Sequence, residues 1–104
     1  MKPSREERNA AIERSLQGAT FLGRGPEELG LVLYRWPDGS YTIGYLDQGF
    51  FTYLCVSPEG KVTNMTEQCE PDGSDLQMAI SFLGSQGLSE MRNRIVSWPH
   101  RNLR

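Results

Sequence analysis

Residues 29–66 read LGLVLYRWPDGSYTIGYLDQGFFTYLCVSPEGKVTNMT, and this stretch decides the fold. Four runs rich in β-branched and aromatic residues (29–36, 40–46, 50–57 and 61–66) alternate with Pro37-Asp38-Gly39, Asp47-Gln48-Gly49 and Pro58-Glu59-Gly60. The connectors share one chemistry. A three-residue hairpin loop is a type I turn followed by a residue in the left-handed region, where glycine has no Cβ to clash. Proline at the first loop position presets φ, and an acidic or amide residue suits the second. Runs of strand length joined in this way predict a four-stranded antiparallel meander with Gly39, Gly49 and Gly60 at positive φ.

Loops of that length pair Trp36 with Ser40, Leu46 with Phe50, and Ser57 with Lys61. Side chains alternate across a sheet, so residues of one parity then share a face. The odd face holds Leu31, Leu33, Tyr41, Ile43, Tyr45, Phe51, Tyr53 and Cys55. The even face holds Val32, Tyr34, Trp36, Leu46, Phe50, Leu54, Val56 and Val62, with Thr42, Gly44, Thr52 and Asn64 among them. Its middle is the more polar, so the odd face is expected to be the core.

Outward from the meander the signals turn helical. Ser4-Arg5-Glu6-Glu7 is a capping box, in which a Ser hydroxyl serves the N3 amide and a Glu reaches back. The helix it opens should run to about Gln17, with Gly18 closing it. It is thinly apolar, with Ile12 and Leu16 as its main stripe. Gly23-Arg24-Gly25-Pro26 reads as a break in the chain, and its spacing is neither a dinucleotide fingerprint nor a P-loop. On the far side, Ser74-Asp75-Leu76-Gln77 repeats the capping pattern. Leu76, Ala79, Ile80 and Leu83 then fall on one helical face, and Leu88, Met91, Ile95 and Trp98 form a second stripe that Pro99 ends. Residues 1–3 and 100–104 are expected to fray. The reading is one α+β domain over residues 1–104: a helix, a four-stranded antiparallel meander, and a two-helix hairpin packed on one sheet face.

The totals set outer bounds. The chain has 104 residues, a fit for one domain with one core. No apolar run approaches the ~20 residues that span a bilayer, so no membrane partner is expected. The charged N-terminus has no apolar h-region, and a cytoplasmic location with Cys55 and Cys69 as free thiols is the expectation. Net charge is −2 overall, yet residues 26–75 carry −7 while residues 76–104 carry +3.

Chemistry is sparse. The single histidine, His100, falls in the expected frayed tail, and neither cysteine has a histidine partner to activate it. Glu67, Glu70, Asp72 and Asp75 lack the spacing of a calcium loop. No enzyme, no cofactor and no metal site is therefore expected, and no small-molecule substrate is evident. The expectation is instead a small protein-binding module, its partner another protein or a second copy of itself. The argument is one of coverage. Two helices of ~10 Å diameter cover about one face of a four-stranded sheet, and both faces carry large apolar side chains. Val32, Tyr34, Trp36 and Leu54 on the even face are the candidate contact residues. The alternative is a nucleic-acid binder using Arg92, Arg94, Arg101 and Arg104, the best candidate cluster for phosphates.

Overall fold

The computed structural model describes residues 3–103, in which a single antiparallel sheet is flanked by one helix before it and two after. Helix α1 spans Arg5–Ser15, and its capping box forms as the sequence demands: the Glu7 amide donates to Ser4 Oγ, and Glu7 reaches back to the Ser4 amide. Strands β1 (Thr20–Arg24), β2 (Val32–Arg35), β3 (Tyr41–Asp47), β4 (Phe50–Val56) and β5 (Val62–Asn64) follow in the spatial order of the chain. Helices α2 (Gly73–Ser85) and α3 (Ser89–Ser97) close the domain, and Arg101–Leu103 adds a 3₁₀ turn. Among the described residues no helix is long and apolar enough to cross a membrane.

The meander has five strands, one more than the sequence suggested. The added strand, β1, lies where glycines had signalled a break. A bulge between Phe21 and Gly23 explains the disguise, because one extra residue in a strand cancels the period-two alternation.

Two of the three hairpins are built as expected. Trp36 N–H donates to Ser40 O and Gly39 N–H to Trp36 O; Ser57 and Gly60 repeat the pattern at the last hairpin. The middle one differs. Asp47 pairs with Phe50, so the loop is only Gln48-Gly49, with φ of 53° and 85°. Two consecutive positive φ values make a turn whose twist matches that of the flanking strands. Asp47, expected in the loop, is the last residue of β3 instead.

That single residue changes which side of the sheet β4 presents. Odd positions of β3 now pair with even positions of β4, since Ile43 faces Leu54 and Tyr41 faces Val56. The expected odd-parity core therefore holds for β2 and β3 and is corrected for β4 and β5, where Val62 turns inward and Thr63 outward. Leu33, Ile43, Leu54, Val56 and Val62 are fully buried together against Leu76, Ala79, Phe82, Leu83, Met91 and Ile95. Phe51, Tyr53 and Cys55 go to the other face. Leu54, named as a contact residue, is core.

One polar group sits deep on the core side. Asp75, in the first turn of α2, accepts from Tyr45 Oη and from Asn64 Nδ2 at 3.3 Å. Burial, and then the adjacent Asp75 carboxylate, push the Tyr45 hydroxyl well above its ordinary pKa. The cap of α2 is Asp72 rather than Ser74, with Asp75 as the reciprocal partner.

The C-terminal segment is also tied down. His100, expected in a frayed tail, is buried, and its Nε2 accepts the Val62 N–H at 2.9 Å. An edge strand presents unpaired backbone groups, and here a histidine serves one of them.

Candidate interaction surface

The outer face of the sheet can be read in rows. Phe21, Tyr34, Thr42, Cys55 and Thr63 are successive cross-strand partners from β1 to β5, and Val32, Gly44 and Tyr53 form the next row. Two of the candidate residues, Val32 and Tyr34, lie in these rows, and Trp36 continues β2 beyond them. All three are half-buried.

Helix α1 covers the β4 side of this face, and it does so with polar contacts. Asn9 Nδ2 donates to Phe51 O at 2.8 Å, and Thr66 Oγ1 donates to Asn9 Oδ1 at 2.6 Å. Arg8 Nε donates to Thr66 O, and Arg5 pairs with Glu67. Tyr53 Oη donates to Glu13 Oε1 at 3.0 Å; burial first, and then that bond, raise its pKa. Only Ile12 of the helix is buried. A helix with so little apolar surface cannot dock by hydrophobic burial, so hydrogen bonds to buried partners hold it.

Trp36 belongs to the margin of that cover. Its Nε1 donates to Thr42 Oγ1 at 2.8 Å, and a Cβ added at Gly18 would lie 3.3 Å from its ring. Glycine there lets the turn after α1 pass over the indole. Gly44 has a similar explanation. A Cβ on it would come within 3.0 Å of Val32, Phe51 and Tyr53, so the side chains around it close over the bare backbone.

Toward β1 the cover ends. Phe21 is 46% exposed and stacks edge-on against Tyr34 at 5.4 Å, with Arg24 over its other side at 5.3 Å. Leu46 is 41% exposed and pairs with Phe51. Phe21, Tyr34, Val32, Phe51 and Leu46 thus make a band of apolar side chains on the open half of the face. Phe50, the first residue of β4, is 58% exposed under the Arg5 guanidinium. The outer edge of β1 makes no hydrogen bond to any described residue.

Comparison with protein-family models, with curated proteins and with solved structures returns no match in any of the three. The reading of the site therefore rests on its own geometry.

The described basic residues named as an anion patch each have a polar partner nearby. Arg94 donates to Pro58 O at 2.9 Å and pairs with Glu90, while Arg92 bonds Asn93 beside Gly84. Arg101 faces Glu70, and Arg104 lies outside the described residues. Cys55 and Cys69 are free thiols, the first half-buried with its pKa raised by burial and then by Asp38. Among the described residues no three His, Cys, Asp or Glu side chains are placed to hold a metal.

The residues of this band that the sequence reading did not single out are Phe21, Leu46 and Phe51. Thr20-Phe21-Leu22 is a strand-like triplet that could have flagged β1. Leu46 stood on the expected outer face without being singled out, and Phe51 could not be placed there until the short loop was known.

Proposed function

We propose that this protein is a small protein-binding module whose contact surface is the open half of the outer sheet face. The observation that supports this reading is the band formed by Phe21, Val32, Tyr34 and Leu46, with Phe51 at the margin of the α1 cover. Within the band Phe21 is 46% and Leu46 41% exposed, so it offers contiguous apolar surface that a partner can cover. Tyrosine is also enriched among residues that dominate binding energy. The partner is another protein or a second copy of the chain. The alternative, nucleic acid, is the less supported, since Arg94 and Arg101 lie near the carboxylates of Glu90 and Glu70.

The test is a paired capture and sizing experiment. The Phe21→Asp, Leu46→Asp double variant should lose the partner, or its own dimer, while its melting temperature stays close to that of the wild type. Val96→Asp, an equally exposed apolar position on α3, should lose neither. Association that survives the double variant and fails with Val96→Asp would move the surface to the helical side.

A further inference from the structure

A second site lies at the other end of the sheet, at the β5 edge. There a groove of about 470 Å³ opens between β5, the turn at residues 68–71 and the segment at 98–101. Its size falls within the range of small-molecule pockets. Trp98, Pro99 and Met65 supply apolar lining, Lys61 and Arg101 supply two cations, and Glu70 is the single carboxylate.

The walls are fixed in advance. His100 is tied to Val62 N–H, Asn102 Nδ2 donates to Pro71 O at 2.9 Å, and Cys69 exchanges backbone bonds with Asn64. These ties also exclude one class of occupant. A peptide adding itself to the sheet needs the outward backbone groups of the edge strand. Val62 N–H and both backbone groups of Asn64 are already engaged, so an extended strand has little to bond. The occupant is recognised by side chains.

The charges select its head group. Among the lining residues, Lys61 and Arg101 outweigh Glu70 by one positive charge, within a stretch of chain otherwise dense in acids. The Arg101–Glu70 pair is loose, 3.9 Å apart with side chains 83% and 64% exposed. Exposed pairs of this kind contribute little, so Arg101 can exchange Glu70 for a ligand. Arginine favours planar carboxylates, which it engages through two parallel hydrogen bonds. The net charge of +1 matches one carboxylate, whereas a doubly charged phosphate would be only half neutralised. The indole of Trp98 adds a surface on which an aromatic ring packs well.

We infer that this groove binds a small aromatic carboxylate, its ring against Trp98 and Met65 and its head between Lys61 and Arg101. Such a group reaches the protein either as a free metabolite or as an aromatic residue at a polypeptide C-terminus.

The inference is tested by amide NMR titration of the whole protein with 1-naphthoate, its neutral amide 1-naphthamide, and N-acetyl-phenylalanine. Saturable shifts confined to residues 61–71 and 98–102 are expected with 1-naphthoate. Binding of the amide should be weaker by about tenfold, as should binding of 1-naphthoate to the Lys61→Gln, Arg101→Gln double variant. Both substitutions are at the exposed surface, and an unchanged spectrum elsewhere shows that the fold is kept. Tighter binding of N-acetyl-phenylalanine assigns the polypeptide source, and tighter binding of 1-naphthoate the metabolite source. Equal affinity for acid and amide, shifts centred outside the groove, or no saturation at millimolar ligand would overturn the inference. None of these outcomes bears on the Phe21–Leu46 band, so the two proposals stand or fall separately.

Discussion

The two faces of the sheet are covered by helices in opposite ways. On the core face, α2 and α3 meet the strands through aliphatic and aromatic side chains, with one buried carboxylate satisfied by Tyr45 and Asn64. On the outer face, α1 meets them through Arg5, Arg8, Asn9 and Glu13 and buries only Ile12. Apolar contact is non-directional and scales with area, whereas hydrogen bonds need particular atoms in place. The first cover tolerates repacking but not removal. The second depends on a few atoms.

The sharpest break of this contrast is Leu54→Ala. Leu54 is fully buried against the helical side, and its truncation should cost ~2–5 kcal/mol in denaturant unfolding. A loss well under ~1 kcal/mol would return Leu54 to the outer face and undo the register.

Asn9→Ala probes the other cover. Its amide serves Phe51 O and Thr66 Oγ1 together, so the expected cost is about 1–2 kcal/mol. Hydrogen exchange should quicken in α1 while the α2 amides keep their protection. Equal acceleration in both helices would show one cooperative cover instead of two.

The two-residue turn that separates the faces can be tested directly. A Cβ at Gly49 meets nothing within 4 Å, so Gly49→Ala should cost only the left-handed backbone penalty, about 1 kcal/mol. Gly60→Ala should cost more, because its Cβ would overlap the Arg94 backbone as well.

The smallest effect is that of pH on the core-side edge. Burial, the largest influence, holds the His100 pKa below its ordinary 6.5, with Lys61 acting the same way and the Ile95 and Trp98 carbonyls opposing. A histidine depressed in the folded state adds stability above its unfolded pKa, and that stability is lost as pH falls through the folded value. Melting temperature should therefore decline as pH drops below about 6.5. His100→Gln, which keeps an acceptor but cannot titrate, should flatten part of that decline. An unchanged slope in the variant would remove His100 from the account.

Much of this architecture was legible because local chemistry and tertiary need agreed. The Ser4 cap, the loops at Gly39 and Gly60 and the stripe from Leu76 to Leu83 each carry their signal in a few adjacent residues. The failures came where a signal is ambiguous by one position. Asp47-Gln48-Gly49 suits a three-residue loop as well as Gln48-Gly49 suits a two-residue one, and side-chain alternation turns that difference into an exchange of faces. The β1 strand was hidden by its bulge. His100 looked like tail because nothing in its own neighbourhood announces that Val62, 38 positions earlier, has an N–H to share. The candidate surface inherited the first two errors: Val32 and Tyr34 remain in the proposed band, Trp36 lies at its covered margin, Leu54 left it, and Phe21, Leu46 and Phe51 joined it.

The ties of α1 have a consequence in time. Asn9 is separated from Phe51 by 42 positions and Arg8 from Thr66 by 58, so the helix leaves the ribosome well before the strands it rests on. Short isolated helices are marginal in water, and α1 has nothing to rest on until β4 and the segment after β5 exist. The helix is thus seated only once strands made after it are in place. Contacts that form after the folding barrier leave the folding rate almost untouched and act on the unfolding rate. Asn9 and Arg8 should therefore set how long the molecule, once folded, stays closed.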